Sequence, residues 1–577
     1  MPALVITLNL TLLLSLAVLG YQWPPAFFAL LFLGPLSILS LSRAIRGHIS
    51  ARAVFVATAV FACGGIAAVG YFRPSAWWGG LLVAPIILLG VVDMFQKKRA
   101  LRRNFPVIAH ARYIFEMIRP EIQQYFVESN IDGRPFNRED RSLVYQRAKG
   151  ALDSLPFGTQ RDVYEVGYEW INHSMVPVDP ANKNPRVLIG EGRCAKPYSA
   201  SILNISAMSF GSLSGNAIEA LNRGAQAGDF AHNTGEGSIS PHHLKGGDLV
   251  WQIGTGYFGC RTPDGGFDPE QFRERASLDV VKMIEIKISQ GAKPGHGGIL
   301  PAAKITPEVA KIRAVPLGAD VISPPAHSTF STPKELLEFV AELRELSGGK
   351  PVGFKLCVGK RREFLAICKA MHETGHVPDF ITVDGGEGGT GAAPFEFSNR
   401  LGTPLVDGLT FVHNALVGVG LRDEIKVIAS GKISSGFGVV RMLALGADIC
   451  NAARSMMLSL GCIQARKCNN NECPVGVATQ DPALTIGLDV EEKWRRVARF
   501  HEETVEAAVE LMGAAGLTTP EDLRPWHIVR RVSQLETRHY GEMVNYLSPG
   551  ELLEESRPPG YNRSWQAASA ETFAHID

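Results

Sequence analysis

Charge is what the first part of this chain lacks. No Asp, Glu, Lys or Arg precedes Arg43, and two further uncharged stretches follow, Ala53 to Phe72 and Pro74 to Val92. A helix needs about 20 apolar residues to cross a hydrocarbon core. Membrane spans are therefore predicted near 3–20, 26–42, 53–72 and 75–92, with Pro35 and Pro85 inside the second and fourth. A cleaved signal peptide competes with this reading, but the extreme N-terminus has no positive n-region. A charge excess is missing too: 58 basic against 57 acidic residues in 577 give a net +1, and no electrostatic case for nucleic acid. The nine cysteines form no paired framework, which favours a reducing compartment. No glycine cluster opens a βαβ unit with an acid at dinucleotide spacing, so no Rossmann domain is expected.

Basic residues are present at informative places. Arg43, Arg46 and Arg52 lie between the second and third spans, and Lys97, Lys98, Arg99, Arg102 and Arg103 follow the fourth. Positive flanks stay on the cytoplasmic side. Tyr21, Trp23, Tyr71, Trp77 and Trp78 then fall at the opposite interface. The expectation is an inner-membrane, multi-pass protein of two helical hairpins with its large domain in the cytoplasm.

Four regions are expected: transmembrane helices over 1–95, a connecting segment packing on the barrel over 96–190, a catalytic barrel over 191–530 and a tail over 531–577. From about residue 195, short apolar runs alternate with helical stretches: ILNISAMSF, MIEIKIS, ADVISPP, PVGFKLCV, DFITVDG, KVIASGK and ADICNAA. One more strand near 228–233 completes eight. That alternation predicts an α/β fold, a (β/α)8 TIM barrel behind an N-terminal all-α transmembrane region. Val490 to Met512 has helical periodicity and is expected to pack on the barrel.

In such barrels the chemistry sits at the C-terminal strand ends, and the last two βα loops recurrently hold phosphate. ASGKISSG and NAARS, with Gly431, Lys432, Ala453 and Arg454, make a candidate phosphate cradle. Lys287, Gln290 and Lys293 lie in KISQGAK at another strand end. Two ammonium groups there suit a dicarboxylate. Glu236 of NTGEGS is either an acid near that centre or a turn residue. Asp384 and Glu387 of VDGGEGGTG share the ambiguity.

The most specific pattern is C-x5-C-x4-C, formed by Cys462, Cys468 and Cys473 in GCIQARKCNNNECPVGVATQDP. Three thiolates on one loop read as an iron–sulfur site. Core thiols and a zinc site with a fourth ligand elsewhere remain open.

This segment resembles the cluster-binding segment of the glutamate synthases. SAMSFGSLS, NTGEGS, KISQGAKPGHGG, ISPPAHS, DGGEGGTGAAP and ASGK…GAD…AAR occur in that family's order, so the resemblance covers roughly 190–530. It implies FMN and a [3Fe-4S] cluster held by the three cysteines. It also implies that the lysine and glutamine of KISQGAK, with Arg313, bind 2-oxoglutarate, and that Lys355 lies beside the flavin ring. Ser209, Gly385, Gly386, Gly388 and Gly389 fall in motifs that would surround the cofactor. Departures are His296 and Ile299, where the family usually has an acid and a glutamine, and the lack of a match to its glutaminase domain.

The implied activity is reduction of an imine, made from a 2-oxo acid such as 2-oxoglutarate and ammonia or an amine, to an amino acid. Electrons would come from a ferredoxin or reductase subunit, and nitrogen from ammonia, an amine or a separate glutaminase. Alternatives are an amino-acid dehydrogenase feeding electrons to the membrane and an FMN-dependent isomerase.

Overall fold

A computed structural model describes residues 50–574. The spans expected near 3–20 and 26–42 lie outside the described residues. The chain divides into two compact units at Gly133/Arg134.

In the first unit, helix α1 (Ala51–Phe72) starts where the Ser50 hydroxyl accepts from the Ala53 amide at 3.2 Å. A 3-10 turn, Pro74–Trp78, leads into α2 (Gly79–Phe95), which runs through Pro85. Ala51–Phe72 and Pro74–Phe95 are long and apolar enough to cross a membrane. Phe55 fills the space above Gly90, where a Cβ would come within 2.0 Å of its ring, so a small residue lets the two helices approach. Helix α3 (Ala109–Ile122) follows.

The second unit is built on a closed eight-stranded parallel barrel. Its strands are β1 (Leu203–Ile205), β2 (His232–Asn233), β3 (Leu249–Ile253), β4 (Val281–Lys287), β5 (Val352–Leu356), β6 (Phe380–Asp384), β7 (Lys426–Ser430) and β8 (Ile449–Ala452). The last closes on β1 through Cys450 opposite Leu203. The count of eight holds, but one expected member does not. Val321–Ile322, from ADVI, pairs antiparallel with Ile299–Leu300 in a separate two-stranded hairpin. The strand missed is β3, LVWQI, between β2 and β4.

Four polar side chains tie the barrel centre. Glu285 accepts from Asn233 at 2.8 Å, Gln252 at 2.6 Å and Thr382 at 2.7 Å, so this buried carboxylate is fully partnered. Helix α4 (Arg138–Lys149) and the long α5 (Val490–Ala514) pack against each other, and α5 also covers Gly215–Gly228. Glu169–Ile171 pairs antiparallel with Ile528–Arg531, so segments flanking the barrel in sequence share one small sheet. Beyond it, Tyr561 and Trp565 are buried on the helix Pro559–Gln566.

Candidate functional site

Lys287 is the last residue of β4, and in register it stands beside Lys355 of β5, whose other neighbour is Thr382 of β6. The Lys287 ammonium reaches the Glu236 carboxylate at 2.7 Å, with both side chains nearly buried. Gly298 lies against that carboxylate so closely that a Cβ would stand 2.4 Å from Glu236 Oε1. Burial works to raise Glu236, but Lys287, Arg313 and Lys293 outweigh it and hold the carboxyl below its ordinary range.

Lys293 donates to the Ala392 carbonyl at 2.9 Å. Burial lowers it to about 8, helped by Lys287 and opposed by Glu236. Arg313 ends the helix Pro307–Arg313, buried, with Nη2 donating to the Phe210 carbonyl at 2.6 Å and the guanidinium 5.2 Å over the Phe258 ring. Its Nε has no partner among the described residues. Burial brings Arg313 down to about 10 against the pull of Glu236. Gln290 sits half-buried in the turn between Lys287 and Lys293. Lys355 is buried, and its ammonium makes no hydrogen bond or ion pair among the described residues. Lys287, Lys293 and Arg313 thus act on the Glu236 carboxylate, with Lys355 beside Lys287 in register, a setting for an anionic ligand.

His327, unassigned in the sequence reading, packs here. Its Nε2 bonds the Lys287 carbonyl at 2.9 Å and its Nδ1 the Tyr257 hydroxyl at 3.1 Å. Burial pushes it down to about 4, so the ring is neutral near pH 7. Its motif, SPPAHS, was visible, but its hydrogen-bond partners are distant in sequence.

The glycines after β6 have a different role from phosphate donors. Gly385 donates to the Ser430 carbonyl at 2.9 Å, Gly386 to Thr403 at 2.8 Å and Gly388 to Gly385 at 2.8 Å. These amides are spent on folding the loop. The backbone groups left for an anion lie after β7 and β8. The amides of Gly431 and Lys432 have no partner among the described residues, and the helix Arg454–Leu460 begins at Ala453 without a side-chain cap. Arg454 Nη2 donates to the Glu387 carbonyl at 2.6 Å, and its guanidinium lies 5.0 Å over Phe136. Gly389 packs on the Arg454 side chain. Lys432 is lowered by burial and by Arg454 and Arg134. The Ser209 hydroxyl donates to Ser212 at 3.0 Å beneath the mouth. Orphaned amides, excess cations and an unpartnered Lys355 fit a phosphorylated flavin.

The cysteine loop is clamped by residues preceding the barrel. Tyr145 donates to the Cys462 carbonyl at 2.6 Å, while Gln464 exchanges two hydrogen bonds with the Phe136 backbone at 3.0 and 3.1 Å. Burial pushes Cys462 up to about 12, with Cys468 and Cys473 adding to the rise. Lys304, also unassigned from sequence, is buried beside them and donates to Ser212 and Ala478 carbonyls at 3.0 and 2.8 Å. Among the described residues no group of three or more His, Cys, Asp or Glu side chains is placed to hold a metal ion. The thiols are neighbours without closing into a ligand set, so the fit to a cluster is incomplete.

Residues 172–518 match the family profile described as a conserved region in glutamate synthase. A glutamate synthase large subunit-like protein, YerD of Bacillus subtilis, is 38% identical over 497 residues, covering 78% of this chain and 94% of that protein. An archaeal glutamate synthase [NADPH] of Methanocaldococcus jannaschii is 35% identical over 322 residues, 56% of this chain and 60% of that one. The ferredoxin-dependent glutamate synthase of Cyanidium caldarium is 31% identical over 366 residues, but the match spans 22% of its length. Among solved structures, a flavocytochrome b2 mutant with pyruvate bound aligns distantly, at 14% identity and a TM-score of 0.39 over 78% of this chain and 91% of that one.

Proposed function

Since the chain belongs to the glutamate synthase family, we propose that it reduces the imine of a 2-oxo dicarboxylic acid, with 2-oxoglutarate as the foremost substrate, to an amino acid. The observation that carries this reading is the cluster of buried cations at the strand ends, where Lys287, Lys293 and Arg313 act on the Glu236 carboxylate and Lys355 stands beside Lys287 without a hydrogen bond or ion pair among the described residues. Arg313 and Lys293 receive the substrate's carboxylates, with Gln290 at the turn between Lys287 and Lys293. FMN is held by the amides of Gly431 and Lys432, the start of the helix at Arg454 and the Lys355 ammonium; when bound it supplies the hydride. The hydrogen bond from Lys293 to the Ala392 carbonyl ties the two loops that flank the substrate position.

Purified protein, photoreduced and given 2-oxoglutarate with ammonia or an alkylamine, is expected to form glutamate or an N-alkylglutamate, detected by mass spectrometry. Lys293→Ala should lower kcat/KM by roughly 10- to 150-fold, the worth of one hydrogen bond to a charged group. No amino acid from any 2-oxo dicarboxylate would remove the dicarboxylate reading.

We further propose that Cys462, Cys468 and Cys473 take an iron–sulfur cluster once their loop closes. Spacing and mutual proximity support this. Cys468→Ala should abolish the cluster's visible absorbance and paramagnetic signal while flavin is retained; an unaltered signal would assign the ligands elsewhere. Membrane anchoring through α1, α2 and the uncharged residues before them is proposed on the two long, apolar, mostly unburied helices. A periplasm-active reporter fused to the C-terminus should remain silent.

A further inference from the structure

Between α2 and the barrel unit in sequence, one helix leaves its apolar face exposed among the described residues. On α3, Ala111, Ile114, Phe115, Ile118 and Ile122 share one stripe at 100° per residue, while Arg112, Glu116, Arg119 and Gln123 lie on another flank. Ile114 is 53% exposed, Phe115 68% and, in the turn that extends the helix (Gln123–Val127), Phe126 80%. A soluble surface rarely leaves so continuous an apolar stripe uncovered.

The path from α2 into this helix is built and fixed. Asp93, near the end of α2, is fully buried under three partners: Arg102 at 2.6 Å, His110 at 2.8 Å and the Val107 amide at 3.0 Å. Gln96 bridges the Asp93 and Arg99 carbonyls at 3.1 and 2.7 Å, and the Arg99 guanidinium lies 4.5 Å over the Tyr113 ring. These contacts make an elbow that holds the start of α3 against the end of α2. Lys97, Lys98, Arg99, Arg102 and Arg103 crowd this elbow, and Arg112 and Arg119 continue the charge along the helix; Glu116, Glu121 and Glu128 are the acids of the same stretch. With Asp93 counted, seven Lys and Arg against four acids still give net positive charge at the level where a span that ends at Phe95 leaves the hydrocarbon.

We infer that residues 109–127 lie in the plane of the cytoplasmic leaflet as an interfacial helix, with the Ile114–Phe115–Ile118–Ile122 stripe in the acyl region and the arginines on anionic headgroups. This rests on reading α1 and α2 as membrane spans. The bilayer is favoured as occupant because the elbow fixes the start of α3 at the end of the apolar helix α2 and because the elbow's charge complements anionic phospholipid. Helices of this kind seat their apolar face roughly 5–10 Å into the headgroup–acyl boundary. The consequence is a second, lateral anchor beyond the two spans.

The test places an environment-sensitive fluorescent amino acid singly at Ile118, Glu116 or Leu88 in the full chain, reconstituted in phosphatidylcholine–phosphatidylglycerol vesicles. Brominated lipid is expected to quench position 118 at least about twofold more than position 116, with aqueous iodide showing the reverse order. Lipid quenching at 88 together with free iodide access at 118 overturns the interfacial helix and leaves the spans standing. Protection of 118 from both quenchers overturns it too, since the cover is then protein, either the second unit or another copy of the chain. No lipid quenching at 88 overturns the spans themselves.

Discussion

Replacing Lys287 by methionine is expected to destabilise the barrel by about 3–5 kcal/mol near pH 7, the usual loss when one member of a buried ion pair is removed. The cost arises because the Glu236 carboxylate stays behind, nearly buried and without its 2.7 Å partner. Lys293 and Arg313 still favour its charge, but neither makes a hydrogen bond to it. The pair Lys287→Met, Glu236→Gln should recover most of the loss.

The pH dependence has a definite sign. Glu236 titrates below its ordinary range in the folded protein, so its contribution is complete above the unfolded carboxyl value and is lost as pH falls through the folded one. In Lys287→Met the largest lowering influence is gone and burial is opposed only by Arg313 and Lys293, so Glu236 takes up a proton at higher pH than in wild type. The gap between wild type and variant should therefore narrow on acidification. Thermal unfolding of the purified proteins at about pH 7 and about pH 4, below the ordinary carboxyl value, measures this; a gap that stays constant would mean that the pair is not what stabilises the mouth.

Gly291→Ala is expected to empty the flavin site. The added Cβ would stand 1.7 Å from the Gly385 carbonyl oxygen, and the same backbone is fastened to the β6 end by the Gly291 amide donating to Asp384 at 2.8 Å. The Gly385 carbonyl is main chain and cannot swing aside, while the Asp384 side-chain carboxylate holds the Gly291 amide in place. The KISQGAK and DGGEGG loops must separate, and Lys293 and Arg454 move with them. Loss of most bound flavin in extracts of purified Gly291→Ala is the expected result, set against Gly359→Ala. A Cβ at 359, in the loop after β5, meets nothing within 4 Å, and that variant should keep wild-type flavin content. Equal flavin in both would detach these loops from the cofactor.

Much of the barrel is legible in the sequence because its strands end in glycine turns of distinct composition. The failure at β3 has a physical cause. All five residues of LVWQI are buried, so no alternation marks the strand, and Gln252 looks polar although it points inward to Glu285. Conversely, ADVI has the β-branched composition of a buried strand, yet Ile322 is 65% exposed in a hairpin outside the barrel. The site residues cluster at one end as their motifs suggest. What could not be read is how each is used: that Gly385, Gly386 and Gly388 spend their amides internally, that His327 bonds the Lys287 carbonyl, and that Tyr145 and Gln464 fasten the cysteine loop. The bonds that fasten the cysteine loop join residues more than 300 positions apart, and those of His327 and the β6 glycines follow from loop folding, so neither periodicity nor spacing carries a signal for them.

The quartet at the barrel centre bears on how this sequence can drift. Glu285 satisfies donors from three different strands, so a change at Asn233, Gln252 or Thr382 alone leaves a carboxylate oxygen short of a donor, and a change at Glu285 alone strands three donors at once. Single steps away from the quartet therefore pass through a damaged intermediate. The four positions form one inherited unit, exchanged for another set together or kept as they stand.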